Sequence, residues 1–167
     1  MCIECQQWQQ QYGWHLRHYA LYEYNEMMKD YMHRYKFLGD YRLRLVFQAE
    51  LSKLVRARAG DLVVPIPITA RAWQERGFNQ VTGLLVPGTY QEVLDAKEKD
   101  KPAQSSKTRR ERLRTPQPFC LPANLDVVGK RVLLVDDVYT TGRTLYHAAS
   151  LFKQAGCSRV GSVSLAR

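Results

Sequence analysis

The sequence predicts an α/β domain: a parallel sheet flanked by helices. Three observations carry this. Val132–Val135 is an unbroken apolar run, Leu145, Ala148, Ala149 and Phe152 then recur at helical spacing, and Val160–Leu165 is apolar again after Gly156. That order is a βαβ unit, whose strands lie parallel with a right-handed crossover. Earlier, Leu62-Val63-Val64 reads as a buried strand, cut off by Pro65-Ile66-Pro67, whose two prolines lack amide donors. Finally, the 167 residues are 45% hydrophobic, enough for one core.

Taken in order, residues 19–24 read as a short strand. Asn25 then caps a helix over 26–38, with Met28, Tyr31, Met32 and Tyr35 on one face. Gly39 ends it, and Asp40 caps a second helix over 41–57 that buries Leu43, Val46, Phe47, Leu51 and Leu54. After the strand at 62–64, Val81, Leu84 and Leu85 form the apolar side of a short helix stopped by Pro87-Gly88. Tyr90–Leu94 reads as a further strand. The segment 97–118 has eight basic residues against three acids, net +5 of the chain's +9, and three prolines. It reads as a long basic surface loop.

Composition limits the function classes. Nothing approaches the ~20 consecutive apolar residues of a membrane span, and no leader pattern opens the chain, so a soluble cytoplasmic protein is expected. Cys120 and Cys157 stand alone in sequence and read as incidental thiols. The positive charge points to polyanionic partners, either phosphorylated small molecules or nucleic acid.

The candidate site follows the strand at 132–135. Asp136 and Asp137 come directly after it, and Tyr139-Thr140-Thr141-Gly142-Arg143-Thr144 leads into the helix. Ligands of open α/β sheets bind beyond the carboxyl ends of strands, where a helix N-terminus offers unpaired amides. Gly142 permits close approach, and Thr140, Thr141 and Thr144 add hydroxyl donors, so this half suits a phosphate. The carboxylates accept only and repel phosphate, but they match the two hydroxyls of a ribose diol. A bland reading, in which the acids merely end a strand, fits a lone Asp-Asp better than it fits this ordered series.

The series resembles the sugar-phosphate loop of type I phosphoribosyltransferases. That resemblance implies 5-phosphoribosyl 1-diphosphate as ligand, held with Mg²⁺. Asp136 and Asp137 would take the ribose hydroxyls, and Thr140, Thr141, Gly142 and Thr144 the 5′-phosphate. Arg143 replaces the small residue usual there and either adds phosphate affinity or points to solvent.

Pro65–Gln80, PIPITARAWQERGFNQ, is similar to the ComF family of competence-associated proteins. Gln104 and Arg112, ahead of Phe119, fit the same pattern. By resemblance Pro65, Ile66 and Pro67 form the diphosphate loop. Arg71 and Arg76 meet the diphosphate or are surface charges, and Asn79 and Gln80 orient ligand or cap a helix. The basic segment, with Arg112, is a lid, a DNA-contacting arm or a solvated face. The resemblance implies a role in DNA uptake and natural transformation, with single-stranded DNA and a ComFA-type helicase ATPase as partners. The alternatives are an active phosphoribosyltransferase transferring ribose 5-phosphate to a base, and a ligand-sensing regulator on the same fold.

Cys2-x-x-Cys5 is one half of a zinc knuckle, and a structural site takes four ligands. Relatives by resemblance carry paired C-x-x-C motifs, so residues 1–18 read as a truncated, zinc-finger-like remnant before a domain at 19–167. Zn²⁺ is expected only if a second pair completes the finger. His15 and His18 fit the Cys2His2 spacing poorly.

Overall fold

Alternation along the buried strands sets the layering. The computed structural model describes residues 3–97 and 117–167, with side chains from Gln6 onward. The basic segment 98–116, with Arg112 and Gln104, lies outside the described residues, as do Cys2 and the side chain of Cys5. Among the described residues the strands are β1 (Arg17–Tyr22), β2 (Leu62–Pro65), β3 (Asp95–Ala96), β4 (Phe119–Cys120), β5 (Arg131–Val138) and β6 (Arg159–Ala166). The helices are α1 (Ile3–Tyr12), α2 (Glu26–Lys36), α3 (Arg44–Arg58), α4 (Ala70–Arg76), α5 (Gln80–Gly83) and α6 (Arg143–Gln154).

The main sheet has the order β1-β6-β5-β2, and every pairing in it is parallel. Successive side chains on a strand point to opposite faces. Val132 and Leu134 accordingly join Leu62, Val64 and Val160 beneath Leu145, Ala149 and Phe152 of α6. Leu133 and Val135 face the other way, with Val63, Val163 and Leu165, onto Met32, Tyr35, Leu51 and Val55 of α2 and α3. The result is a three-layer α/β/α arrangement around a central sheet buried on both faces.

Several expectations are met. Asn25 Oδ1 accepts the Met28 amide at 3.0 Å and caps α2, whose buried residues are Met28, Met32 and Tyr35. Gly39 turns at φ 71°, and the βαβ unit forms as read.

Others are corrected. The first strand starts at Arg17, because Arg17 pairs with Gly161 and Tyr22 with Ala166; the sheet register overrides the local pattern. The expected division at residue 18 therefore falls inside β1. Asp40 makes no side-chain cap; a 3₁₀ turn at Tyr41–Leu43 precedes α3. Val46 is 54% exposed, since it sits five residues before the buried Leu51, about 140° round the helix. Tyr90–Leu94 is not a strand. One bond, Gln91 N–H to Val63 O at 2.9 Å, holds it beside β2, and Leu94 buries without forming a ladder. β5 runs on to Val138, so both aspartates lie in the strand rather than after it, because β6 continues the pairing to Ala166.

All described peptide bonds are trans, including those at Pro65 and Pro67. No helix among the described residues is long and apolar enough to cross a membrane.

Candidate sugar-phosphate site

Strand parity separates the two acids. Asp136 shares the face of Leu134, toward α6, and Asp137 the face of Val135, toward α2. Both are buried, at 7% and 5% exposure, at the carboxyl end of β5. The strand end holds them in place: the Asp137 amide donates to Asp136 Oδ1 and the Val138 amide to Asp137 Oδ1, each at 2.9 Å. Lys36, the last residue of α2, forms an ion pair with Asp137 Oδ2 from a side chain only 17% exposed. Burial, and then the neighbouring Asp137 carboxylate, push the Asp136 carboxyl well above the usual range. The pair thus carries less negative charge than two free aspartates, and α2 supplies the neutralising cation.

Beyond the acids the chain turns into α6. Gly142 is the N-cap of α6 at φ 76° and makes no side-chain cap hydrogen bond. A methyl group at Gly142 would run into the ring of Tyr139, which is 4% exposed. Glycine is required here for both conformation and space. Tyr139 itself is fixed by its amide bond to Ala166 O at 2.9 Å and lies between His18 and Arg167, with ring distances of 4.3 and 4.9 Å. Thr140, Thr141 and Thr144 are exposed along the loop. The Thr141 carbonyl accepts the indole N–H of Trp8 at 2.6 Å, so α1 grips the loop from outside. Trp8, Tyr12 and Trp14 all pack their rings on buried Tyr146 of α6, at 5.2–5.6 Å.

His18 is a structural neighbour of this loop. Ser164 already donates to Ala166 O at 2.8 Å, so His18 Nε2–H is the donor to Ser164 Oγ at 3.1 Å. Nδ1 is then left to accept from the Ser162 hydroxyl at 2.9 Å. The ring is neutral, and burial followed by the Arg167 charge lowers its pKa to about 4. With both nitrogens engaged, His18 is not available as the internal zinc ligand.

A cleft of about 420 Å³ opens beside the loop, bounded by Pro67, Thr69, Arg76, Gln80, Arg143 and His147. Pro67 and Ile68 line this cleft together with Arg143 and Thr144, whereas Pro65 and Ile66 do not reach it. Ile66 is buried, and its carbonyl accepts from Asn79 Nδ2 at 3.1 Å. Asn79 Oδ1 also accepts the Val81 amide at 2.8 Å, so this residue caps α5 and pins the proline turn rather than reaching the cleft. Arg76 donates to the Lys36 carbonyl at 3.0 Å and bonds Gln80, tying α4 to the helix that carries the lysine. Arg71 pairs with Glu75 on an exposed face and takes no part. Lys97 and Pro118 close the rim, where the Lys97 amide donates to Pro118 O at 2.8 Å.

Three contributors were not singled out by the sequence reading: Lys36, Tyr139 and Trp8. Lys36 follows an apolar stripe and looks like any basic last-turn residue. Tyr139 sits inside the motif at a position without polar demand, and Trp8 is distant in sequence.

Among the described residues no group of three or more His, Cys, Asp or Glu could hold a metal alone. Two hard carboxylates, Asp136 and Asp137, at a strand end beside a helix N-terminus fit Mg²⁺, which is commonly bound by one or two carboxylates together with substrate phosphates.

An acid pair at a parallel strand end, a glycine-capped helix and a facing proline turn define a phosphoribosyltransferase-type domain. Residues 57–167 match the family described as Phosphoribosyl transferase domain. Along its whole length the chain belongs to the ComFC family. It is 41% identical over 167 residues to competence protein ComFC of Streptococcus pneumoniae, covering 99% of this chain and 74% of that protein. To competence protein ComFC of Bacillus subtilis it is 32% identical over 178 residues, covering 100% and 72%. A shorter match, 44% over 39 residues, joins it to the ribose-phosphate pyrophosphokinase of Pyrococcus furiosus, covering 23% of this chain and 14% of that enzyme.

Proposed function

We propose that this ComFC-family protein acts in competence by binding a 5-phosphoribosyl 1-diphosphate-like ligand, with Mg²⁺, during DNA uptake. The observation that carries the reading is the buried Asp136–Asp137 pair at the carboxyl end of β5, on the strand whose following loop leads into α6. The acids would accept the ribose diol, and the amides and hydroxyls of residues 140–144 would hold the 5′-phosphate. Arg143 and Arg76, both in the wall of the cleft, would meet the diphosphate. Mg²⁺, when bound, would screen the diphosphate charge against the acids. Single-stranded DNA and a ComFA-type helicase ATPase are the partners proposed for this role, on the strength of family membership and the net charge of +9.

Transfer of the ribosyl group to a base is the second reading. It is favoured by the size of the cleft and by Phe119 and His147 in its wall, which could face an acceptor ring. Calorimetric titration of phosphoribosyl diphosphate with Mg²⁺ into wild type and the Asp136→Asn/Asp137→Asn variant tests the shared premise. The variant should bind at least about tenfold more weakly, the loss expected of one or two charge-assisted hydrogen bonds. Equal affinity would refute the sugar assignment.

A further inference from the structure

A second basic feature lies at the opposite end of the sheet. Arg131 and Arg159 open β5 and β6 as direct partners, and Arg17 opens β1 opposite Gly161. All three share the strand parity of Leu133 and Val163, so they project to the face covered by α3. There the helix ends at Arg58, whose guanidinium carbon lies over the Tyr19 ring at 3.8 Å from its centre. The four arginines border a cleft of about 290 Å³ that has Tyr19 and Ser162 in its wall. Ala57, Ala59, Gly60 and Gly161 keep its floor free of bulky side chains.

The charge of this cleft is unbalanced. No carboxylate lines it. Asp61 engages Arg131 from its margin, accepting from Nε and an Nη at 3.2 Å each. Arg17 and Arg159 make no ion pair among the described residues, and all four arginines are exposed. Like charges on facing strand positions oppose folding, and Arg131 and Arg159 occupy such positions. Guanidinium groups converging on one concavity match the tetrahedral oxygens of phosphate, which they bind bidentately.

We propose that this cleft is a second anion site, taking a ligand with two or more neighbouring phosphates. It is separated from the sugar-phosphate loop by the length of the sheet and does not depend on what that loop binds. A free nucleoside triphosphate and the backbone of single-stranded nucleic acid share this chemistry, and direct binding separates them.

The test measures binding of ATP and of a labelled 20-nucleotide oligothymidine to the full chain over a salt series. It compares wild type, Arg17→Ser/Arg159→Ser and the charge-retaining Arg17→Lys/Arg159→Lys. Wild type should bind at least one probe. The serine variant should bind it about tenfold more weakly and, for the oligonucleotide, with a salt slope smaller by about 1–2. The lysine variant should keep the slope and lose part of the affinity. Loss for ATP alone identifies a nucleotide site, and loss for the oligonucleotide identifies a nucleic-acid contact. Identical behaviour of wild type and the serine variant, including no binding by either, overturns the proposal. Circular dichroism confirms the fold of each variant. The Asp136→Asn/Asp137→Asn protein should retain cleft binding whatever its response to phosphoribosyl diphosphate, so the two assignments fail separately.

Discussion

Lys36 and Asp137 come from elements far apart in sequence, and their pairing carries the main electrostatic tension in the site. Removing one partner of a buried pair leaves an uncompensated charge, typically at a cost of several kcal/mol. Lys36→Met should therefore lower stability by about 3 kcal/mol in urea denaturation. Adding Asp137→Asn should recover most of that, and a double variant no more stable than Lys36→Met would show that the pair is not the cause. Asp136 has the opposite character. Its folded-state pKa is raised by burial and by Asp137, so the folded protein binds more protons than the unfolded chain above the ordinary carboxylate pKa. Stability contributed by this group falls as pH rises through that window. Asp136→Asn keeps the acceptor for the Asp137 amide and removes the charge, so the ligand-free variant should gain about 1 kcal/mol at neutral pH in the same assay. His18 works in the other direction. Its folded pKa of about 4 lies below the unfolded value of 6.5. Its contribution is complete above the unfolded pKa and disappears as pH falls toward 4. Wild type should lose on the order of 2 kcal/mol between neutral and acid pH from this group, and His18→Asn should show a flatter acid limb in urea midpoints.

Among the elements, α1 and α6 form one mechanical unit. The packing of Trp8, Tyr12 and Trp14 on Tyr146, together with the indole bond to Thr141 O, couples the N-terminal helix to the loop that leads into α6. Trp8→Ala should cost about 2 kcal/mol and speed hydrogen exchange of the amides at residues 140–142. Unchanged exchange would mean that the loop holds its shape without α1. Of the helices, α2 was the most legible, because a capping asparagine and an apolar stripe agree. The orientation of α3 was less so. Its apolar residues surround much of the helix, and Leu45 at 60% and Val46 at 54% exposure are excluded from the core only by where the sheet lies. The short α4 lacks a buried residue and gave no periodic signal; Thr69 caps it, accepting the Ala72 amide at 3.2 Å.

At the scale of the whole molecule, a parallel sheet places two kinds of strand end on opposite sides. The carboxyl ends carry the acids and the loop at residues 139–142; the amino ends carry arginines. The sequence by itself determined the layered α/β class, the βαβ unit and the acid-to-threonine series of the loop between its strand and helix. These follow from continuous apolar runs, helical spacing and a motif contained in thirteen consecutive residues, 132–144, all of which are local properties. Only the tertiary structure decided that Lys36 neutralises Asp137, that Asn79 and Arg76 brace the site, and that Arg17, Arg58, Arg131 and Arg159 share one cleft. Sheet register and helix docking bring those groups together from separate segments. Such proximity depends on strand order and parity across the fold, which no local pattern of residue types encodes.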